Sequence, residues 1–205
     1  MVIERMILGP VQVNCYIVYA DDSNEAVVID PGDYGNRVYE KLCGMNKSCR
    51  TILLTHGHFD HILGVKELKK LTGAEILAGS EEDELLRDTA MNVSARIRRP
   101  VSIEADRLLE DGEEFEAAGI KFRCIHTPGH TGGSVSYYCD SEKILFSGDT
   151  LFLESLGRTD LPTGDSKTIV NSIKNKLFIL PGDTKVYPGH GETTDIEHEI
   201  KFCWY

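Results

Sequence analysis

The sequence feature that most constrains the fold is a dense run of metal-binding side chains placed directly after an apolar segment. Residues 51–54 (TILL) have the composition of a buried strand, and residues 55–61 continue at once as THGHFDH. The metal-binding side chains of this run are His56, His58, Asp60 and His61. Burying so many polar groups without partners would be costly, and imidazole and carboxylate are the ligands that divalent metals prefer. The run therefore predicts a metal site at the carboxyl end of a strand in an α/β fold.

Three later segments share one form, in which a predicted strand leads into a glycine turn and a side chain able to bind metal. The segments span residues 127–134, 146–150 and 186–191, and they present His130, Asp149 and His190. Glycine lets the backbone turn sharply and approach a site closely. Three such turns, each after an apolar strand, indicate that these side chains join the first run in one site.

The apolar pattern predicts strands, then helices, then strands and helices again. Predicted strands cover residues 2–8, 11–20, 26–29, 51–54, 75–78, 113–116, 120–126, 134–139, 144–147 and 185–187. Predicted helices cover residues 36–45, 60–71, 166–177 and 194–202. A further helix is predicted to begin at Ser80, with Ser80 as its N-cap and Asp83 three residues later completing the cap. This order suits two half-domains that pack sheet on sheet with helices outside.

Residues 88–106 follow neither the strand nor the helix pattern. Arg96, Arg98 and Arg99 give this segment a local basic character before Pro100. A solvated loop is the plainer interpretation, because charge runs usually face water. A flap that meets an anionic substrate beside the site is the alternative.

Composition excludes several classes of protein. A net charge of −11 argues against non-specific nucleic-acid binding, and no apolar run approaches a membrane span. Residues 1–5 lack the features of a signal peptide, so a cytoplasmic protein without a membrane partner is expected. The six cysteines form no C-x-x-C pair and are expected to be reduced.

The chain resembles the metallo-β-lactamase fold superfamily in the THGHFDH run, His130, Asp149 and His190, which occur in that family's order, and in Asp30-Pro31-Gly32. The resemblance spans about residues 1–195. It implies an α/β fold, a four-layer αβ/βα sandwich of two mixed β-sheets with helices on the outer faces. We expect residues 1–205 to form a single domain of this kind.

The same resemblance implies two divalent metals, with zinc the first choice and iron or manganese possible. His56, His58 and His130 would hold one ion; Asp60, His61 and His190 would hold the other, and Asp149 would bridge them. Asp60 and Asp149 are the implied catalytic carboxylates. The reaction implied is hydrolysis by a metal-bridging hydroxide, whose formation near neutral pH two metals make possible. Ser134 follows the His130 turn, but no serine-histidine-acid arrangement supports it as a nucleophile.

Residues 148–152 (GDTLF) and 157–160 (GRTD) resemble the glyoxalase II-like branch, whose glutathione-specific members hydrolyse S-acyl-glutathione thioesters. The resemblance assigns Arg158 to substrate binding, and an ion pair with Asp160 or Glu154 is its alternative role. Glutathione-specific members carry a long C-terminal helical domain and a tyrosine after the last ligand histidine. Here only 15 residues follow His190, beginning GETT, so a short, single-domain glyoxalase II-like hydrolase without that domain is expected.

Two other functions remain open on the same fold. A mononuclear iron persulfide dioxygenase would use His56, His130 and Asp149. A lactonase, phosphodiesterase or nuclease on this fold is the other class, and the acidic charge counts against a nuclease. A true β-lactamase is disfavoured by the absence of a signal peptide and by Asp60. We expect a monomer or small homo-oligomer.

Overall fold

Six strands form the first sheet, in the order in which they occur along the chain. The structure is a computed structural model that describes residues 1–202, so Cys203 lies outside it. The strands are β1 (Val2–Leu8), β2 (Val13–Tyr19), β3 (Glu25–Ile29), β4 (Ser48–Leu53), β5 (Glu75–Gly79) and β6 (Arg107–Leu109). β1 to β3 pair antiparallel, whereas β3 to β6 pair parallel. The sheet is therefore mixed, as predicted.

The second sheet is also mixed and has six strands, which are β7 (Glu114–Ala117), β8 (Ile120–His126), β9 (Val135–Cys139), β10 (Ile144–Gly148), β13 (Lys185–Pro188) and β14 (Thr194–Asp195). Their order across the sheet is β14-β13-β10-β9-β8-β7. A separate two-stranded hairpin is formed by β11 (Leu151–Phe152) and β12 (Ser155–Leu156). β10 and β13 are its parallel pair. The carboxyl ends of these two strands lead into Asp149 and His190.

Alternation along the strands sorts apolar side chains into separate layers. On β2, Cys15 and Ile17 face the helices that cover the first sheet, whereas Tyr16 and Val18 face the second sheet. The helices are α1 (Gly35–Gly44), α2 (Phe59–Ile62), α3 (Val65–Thr72), α4 (Asp83–Arg87), α5 (Ser166–Ser172) and α6 (Ile196–Phe202). Apolar residues of α1 and α3 pack on the first sheet, and those of α5 pack on the second. The four-layer αβ/βα sandwich is confirmed.

The helix predicted over 166–177 is α5 continued by a π-helical segment over Ile173–Leu177, whereas two other predicted helices differ from the structure. The helix predicted over 60–71 breaks into α2 and α3, because the amide of Gly64 donates to Pro31 O (2.9 Å) and a Cβ there would lie 2.6 Å from that oxygen. The helix predicted to begin at Ser80 begins instead as a 3-10 turn over Ser80–Glu82, with no side-chain cap. The hydroxyl of Ser80 donates to Glu110 instead (3.1 Å).

Residues 88–106 form a loop fixed by internal hydrogen bonds. Asn92 is fully buried, and its side-chain amide donates to Leu86 O (3.3 Å) and Val101 O (2.8 Å). The carbonyl of Asn92 accepts from the amide of Phe59 (2.9 Å), between two predicted metal ligands. Arg99 pairs with buried Asp33. The segment therefore supports the metal-binding run from behind, and it contributes no side chain to the cavity described below.

The cysteines agree with the reduced state expected from the sequence. Among residues 1–202 five cysteines are free, and Cys43 is the exposed member of that set. None of the helices in the described part of the chain has the length and apolarity needed to cross a membrane.

Candidate metal centre

Seven predicted ligand side chains meet at one edge of the sandwich, where loops from both sheets converge. Their ligand atoms form three overlapping groups, within each of which all atoms lie within 4.8 Å of one another. The groups are His56, His58 and His130; His56, His61 and Asp149; and Asp60, His61 and His190. We call the first group the first ligand set and the third group the second ligand set. The sequence-based division into two half-sites matches this geometry.

Three imidazole nitrogens converge in the first ligand set. His130 Nε2 lies 2.8 Å from His58 Nδ1 and 3.2 Å from His56 Nε2. His130 Nδ1 lies 2.8 Å from Arg158 O, a carbonyl that can only accept, so the ring proton belongs on Nδ1. The Nε2 atom of His130 therefore directs a lone pair at the other two rings.

Asp30 fixes the orientation of two further histidines through its buried carboxylate. His61 Nδ1 donates to Asp30 Oδ2 (2.9 Å), and Thr55 Oγ1 donates to the same oxygen (2.6 Å). Since that hydroxyl proton is used, Thr55 Oγ1 accepts from His56 Nδ1 (3.1 Å). Both rings thereby carry a proton on the outer nitrogen, and both Nε2 atoms face inward. Asp30 therefore orients one ring directly and the other through Thr55.

Asp149 lies between the two ligand sets. Its Oδ1 is 3.4 Å from His61 Nε2, and its Oδ2 is 3.6 Å from both His130 Nε2 and His190 Nε2. In the second ligand set, Asp60 Oδ2 lies 3.2 Å from His190 Nε2. Asp149 is thus placed to contact a cation held by either set.

The donor set fits divalent metal ions on two observations. Among the described residues, His58 Nε2, His61 Nε2 and Asp149 Oδ1 are buried yet lack a hydrogen-bond partner. The Nε2 lone pairs of His130 and His56 also face each other across 3.2 Å, which is unfavourable unless a cation lies between them. Imidazole nitrogens and carboxylate oxygens in these numbers are suited to zinc, iron or manganese.

Electrostatics favours neutral rings at His56 and His58 and charged carboxylates at Asp60 and Asp149. Burial and the neighbouring His130 ring lower the pKa of His58 to about 3. Burial opposes ionisation of Asp149, but His61 and the other imidazoles outweigh it and hold its pKa well below the ordinary value. Burial likewise opposes protonation of His61, and the carboxylates of Asp149 and Asp30 reverse that effect and raise its pKa. The site therefore attracts positive charge.

Two glycines let the ligand loops approach this closely. A Cβ on Gly189 would lie 2.2 Å from Asp149 Oδ1 and 2.7 Å from His61 Cε1. Gly148 has φ +50° and would place a Cβ 2.5 Å from Thr55 Oγ1. Glycine is required at both positions, one beside His190 and the other beside Asp149.

A cavity of about 440 Å³ opens over the ligand atoms. Its non-ligand walls are Val11, Phe59, Phe152, Arg158 and Leu161. Four of these five side chains are apolar, and Arg158 is the cation among them. A small organic substrate would thus meet mostly apolar surface beside a highly polar floor.

Arg158 lines the cavity and also forms the ion pair foreseen as its alternative role. Its Nε and Nη2 each lie 2.7 Å from an oxygen of Asp160, and both side chains are largely exposed. Its carbonyl accepts from His130, so the Arg158 backbone also orients a ligand ring. The two roles considered for Arg158 are compatible in this geometry.

Sequence reasoning missed several buried residues that support the centre. Asn14 Nδ2 donates to Pro188 O (2.9 Å) and Gly191 O (3.0 Å), and Tyr16 OH donates to Pro188 O (2.7 Å), which fixes the turn before His190. Glu82 contacts the loops on both sides of the first ligand set. Their partners are mostly backbone groups far away in sequence, for which no residue pattern exists.

The two remaining histidines lie outside the ligand sets. His126 Nε2 lies 2.9 Å from Gly132 O, so this half-buried ring braces the turn after His130. His198 is partly exposed, and its Nε2 lies 3.0 Å from Glu154 Oε1.

Comparison with known sequences gives a consistent picture. Residues 8–190 match the family model described as the Metallo-beta-lactamase superfamily. The chain is 36% identical over 203 residues to hydroxyacylglutathione hydrolase GloC of Haemophilus influenzae, covering 97% of this chain and 95% of that protein. It is also 36% identical over 194 residues to the probable metallo-hydrolase YqgX of Bacillus subtilis, covering 94% of this chain and 91% of that protein.

Solved structures share the same architecture. The B3 metallo-beta-lactamase BLEG-1 superposes with a TM-score of 0.92 at 40% identity, covering 98% of this chain and 97% of that one. The di-iron-bound form of TTHA1623 superposes with a TM-score of 0.86 at 34% identity, covering 97% of this chain and 98% of that one. ETHE1 from Myxococcus xanthus superposes with a TM-score of 0.79 at 25% identity, covering 98% of this chain and 83% of that one.

Proposed function

The chain belongs to the metallo-beta-lactamase superfamily and is a metal-dependent hydrolase of that fold, and we propose that its substrate is a thioester of the S-acyl-glutathione kind. The placement of Asp149 between two complete ligand sets supports a two-metal hydrolytic centre. The similarity to a hydroxyacylglutathione hydrolase, over nearly the whole of both chains, supports the thioester class.

In this proposal the site holds two divalent metal ions, and zinc is the first choice. One ion would be held by His56, His58 and His130. The other ion would be held by Asp60, His61 and His190, and Asp149 would contact both ions. The bound metals would supply a water that ionises near neutral pH and positive charge beside the oxyanion. The reaction consumes one water and yields a carboxylic acid and a thiol.

The protein's own side chains set the geometry of that reaction. Asp30 and Thr55 hold the rings of His61 and His56 with their Nε2 atoms inward. Burial opposes ionisation of Asp60, but hydrogen bonding to His190 and the nearby His61 keep its pKa below the ordinary value. Ionised Asp60 lines the cavity, where it can accept a hydrogen bond from the attacking water and orient it.

The cavity walls would bind the rest of the substrate. Phe59, Phe152 and Leu161 shield the acyl group from bulk water, which strengthens electrostatic interactions at the floor. Arg158 would meet an anionic group of the thiol portion. A small molecule fits this cavity, and neither nucleic acid nor a membrane is expected as a partner.

The test combines metal analysis with a substrate panel. Protein loaded with zinc, iron or manganese is assayed on S-lactoylglutathione, other acyl-thioesters, a lactone, a phosphodiester and a β-lactam. We expect two metals per chain and the highest kcat/KM on a thioester. A preference for any other class, with thioesters left intact, would overturn the proposal.

A mononuclear iron persulfide dioxygenase is the second candidate. His130 Nε2 lies within 3.6 Å of both His56 Nε2 and Asp149 Oδ2, so these three side chains could hold one iron. The similarity to the ETHE1 structure favours this alternative, and the di-iron-bound TTHA1623 shows that a similar site takes iron. One iron per chain, with oxygen consumed on glutathione persulfide, would select it.

A further inference from the structure

Glu82 is a buried carboxylate that the reaction outlined above does not use. It is 1% exposed, and it lies in the 3-10 turn that follows β5. No lysine, arginine or histidine within residues 1–202 lies at ion-pair distance from it. An isolated buried carboxylate is costly, and burial raises the pKa of Glu82 to about 7 although three hydrogen bonds oppose that shift. Such a residue needs a specific explanation.

The contacts of Glu82 divide between the two loops that supply the first ligand set. Its Oε1 accepts from the amide of Gly57 (2.7 Å), the residue between His56 and His58. Its Oε2 accepts from Thr131 Oγ1 (2.9 Å) and from the amide of Gly133 (3.0 Å), in the turn after His130. One carboxylate therefore links two loops that lie more than 70 residues apart in sequence.

Close packing makes this link rigid. A Cβ on Gly133 would lie 2.3 Å from the backbone nitrogen of Glu82, and a Cβ on Gly57 would lie 2.8 Å from the side chain of Leu85. The turn and α4 therefore press directly on both loops. Thr131 Oγ1 is also 2.6 Å from Ser134 Oγ, which extends the network along the His130 turn.

From these contacts we propose that Glu82 is a positioning residue for the first ligand set, holding the His56–His58 loop and the His130 turn at the separation that a metal ion needs. All the groups that face its oxygens are donors, and only a carboxylate accepts through both of its oxygens. Glutamine in the same shape would turn an NH₂ group toward one of the loops and release it. The inference rests on the proposed two-metal site.

The test measures the metal affinity of each ligand set separately in the full chain. Asp60→Ala with His190→Ala leaves the first ligand set, whereas His56→Ala with His58→Ala leaves the second. Cobalt(II) is titrated into each background, with and without Glu82→Gln, against a chromophoric chelator. We expect Glu82→Gln to weaken the first set by about 10–100-fold, the usual effect of losing a partner that orients metal ligands. The second set should change by less than about threefold, because it shares no partner with Glu82.

Matched variants and a spectrum separate positioning from general stability. Glu81→Gln, on the exposed neighbour, should leave both affinities unchanged. Glu82→Gln should also shift the cobalt d–d bands of the first set and not those of the second. If Glu82→Gln does not fold, Thr131→Val removes one donor from the same link and should weaken the first set alone.

Two results would overturn the inference. One is an unchanged first-set affinity in a folded Glu82→Gln or Thr131→Val protein. The other is equal weakening of both sets together with a lower Tm, which would make Glu82 a general structural residue. Failure of the parent protein to bind a second cobalt would instead contradict the proposed binuclear function.

Discussion

His61 donates its Nδ1 proton to Asp30 across 2.9 Å in a fully buried pair. Asp30 adopts φ +50°, a backbone region that few residues other than glycine, asparagine and aspartate tolerate. The carboxylate thus comes from a specialised turn at the end of β3, and it sets which nitrogen of His61 faces the metal centre.

Asp30→Asn tests this relationship with an almost isosteric change. Asparagine accepts the same backbone conformation, but its NH₂ group would face His61 Nδ1 and move the ring proton to Nε2. We expect the affinity of the second ligand set for metal to fall by about 10–100-fold. Cobalt titration measures this, and exposed Asp22→Asn is the control. Unaltered metal binding by a folded Asp30→Asn protein would refute the tautomer argument.

His190→Ala distinguishes the two candidate functions. Loss of a direct ligand from the second ligand set should reduce bound metal from two ions to one. A binuclear thioesterase should then lose more activity than the roughly 10–100-fold that follows loss of an orienting partner. A mononuclear dioxygenase relying on His56, His130 and Asp149 would keep its oxygen consumption. Metal analysis and both assays on one preparation decide between them.

Gly189→Ala should damage the centre selectively. The new Cβ would fall 2.2 Å from Asp149 Oδ1, so the Asp149 carboxylate or the His190 turn must move. We expect loss of metal and activity while the fold persists by circular dichroism. Gly44→Ala is the matched control, because nothing lies within 4 Å of its Cβ at the end of α1. That change should raise the free energy of unfolding by roughly 0.5–1 kcal/mol.

Asp160→Asn should strengthen binding of anionic substrates. The change frees Arg158 from an exposed ion pair that solvent screens and that contributes little to stability. KM for a thioester with a free carboxylate should fall severalfold, whereas Arg158→Gln should raise it. A thioester without charge on its thiol portion should show neither effect. Identical KM changes for charged and neutral substrates would contradict substrate binding by Arg158.

The pair of Arg99 with Asp33 should make stability depend on pH. Hydrogen bonds from Arg99 outweigh burial and lower the pKa of Asp33, whose side chain is 5% exposed. A carboxyl with a lowered folded pKa stabilises the protein fully above its unfolded pKa of about 3.9, and that contribution is lost as pH falls through the folded value.

Arg99→Ala should therefore lower the free energy of unfolding at pH 7 by about 1–1.5 kcal/mol, below most of the range for hydrogen bonds to charged groups, because Arg99 is half exposed and solvent screens the pair. The difference from wild type should shrink as pH falls below about 4. Urea unfolding of chelator-treated protein across this range measures it. Arg87→Ala, which breaks an exposed pair with Asp83, should have a clearly smaller effect on the free energy of unfolding, because solvent screens both charges. A pH-independent Arg99→Ala effect would contradict the assignment.

The candidate metal ligands could be predicted because their residue types and spacing are visible in the sequence. His56, His58, Asp60 and His61 stand out because few other roles explain such density, and strand-turn-ligand segments single out the rest. The sheet-on-sheet layers were predicted from the order of strands and helices and from the family resemblance. Residue types and element order are both read along the chain, so a sequence displays them directly.

The unpredicted part depends on tertiary contacts with backbone groups. Ser80 and Asp83 resemble a helix cap, but packing of the turn against Gly133 places Glu82 inward and leaves the cap unformed. Gly64 breaks a helix because Pro31, distant in sequence, occupies the space. The short strands β6, β11, β12 and β14 carry two or three residues each, too few for a periodic signal.

Because the candidate ligand side chains come from loops of both sheets, unfolding either half of the sandwich would separate the two halves of the candidate metal centre. Metal binding and global folding are then thermodynamically linked, and the melting temperature becomes a function of free metal concentration. At 100 times the dissociation constant, a bound ion adds about 2.7 kcal/mol to the folded state. A cell that restricts its supply of the metal would thereby also shorten the lifetime of this protein.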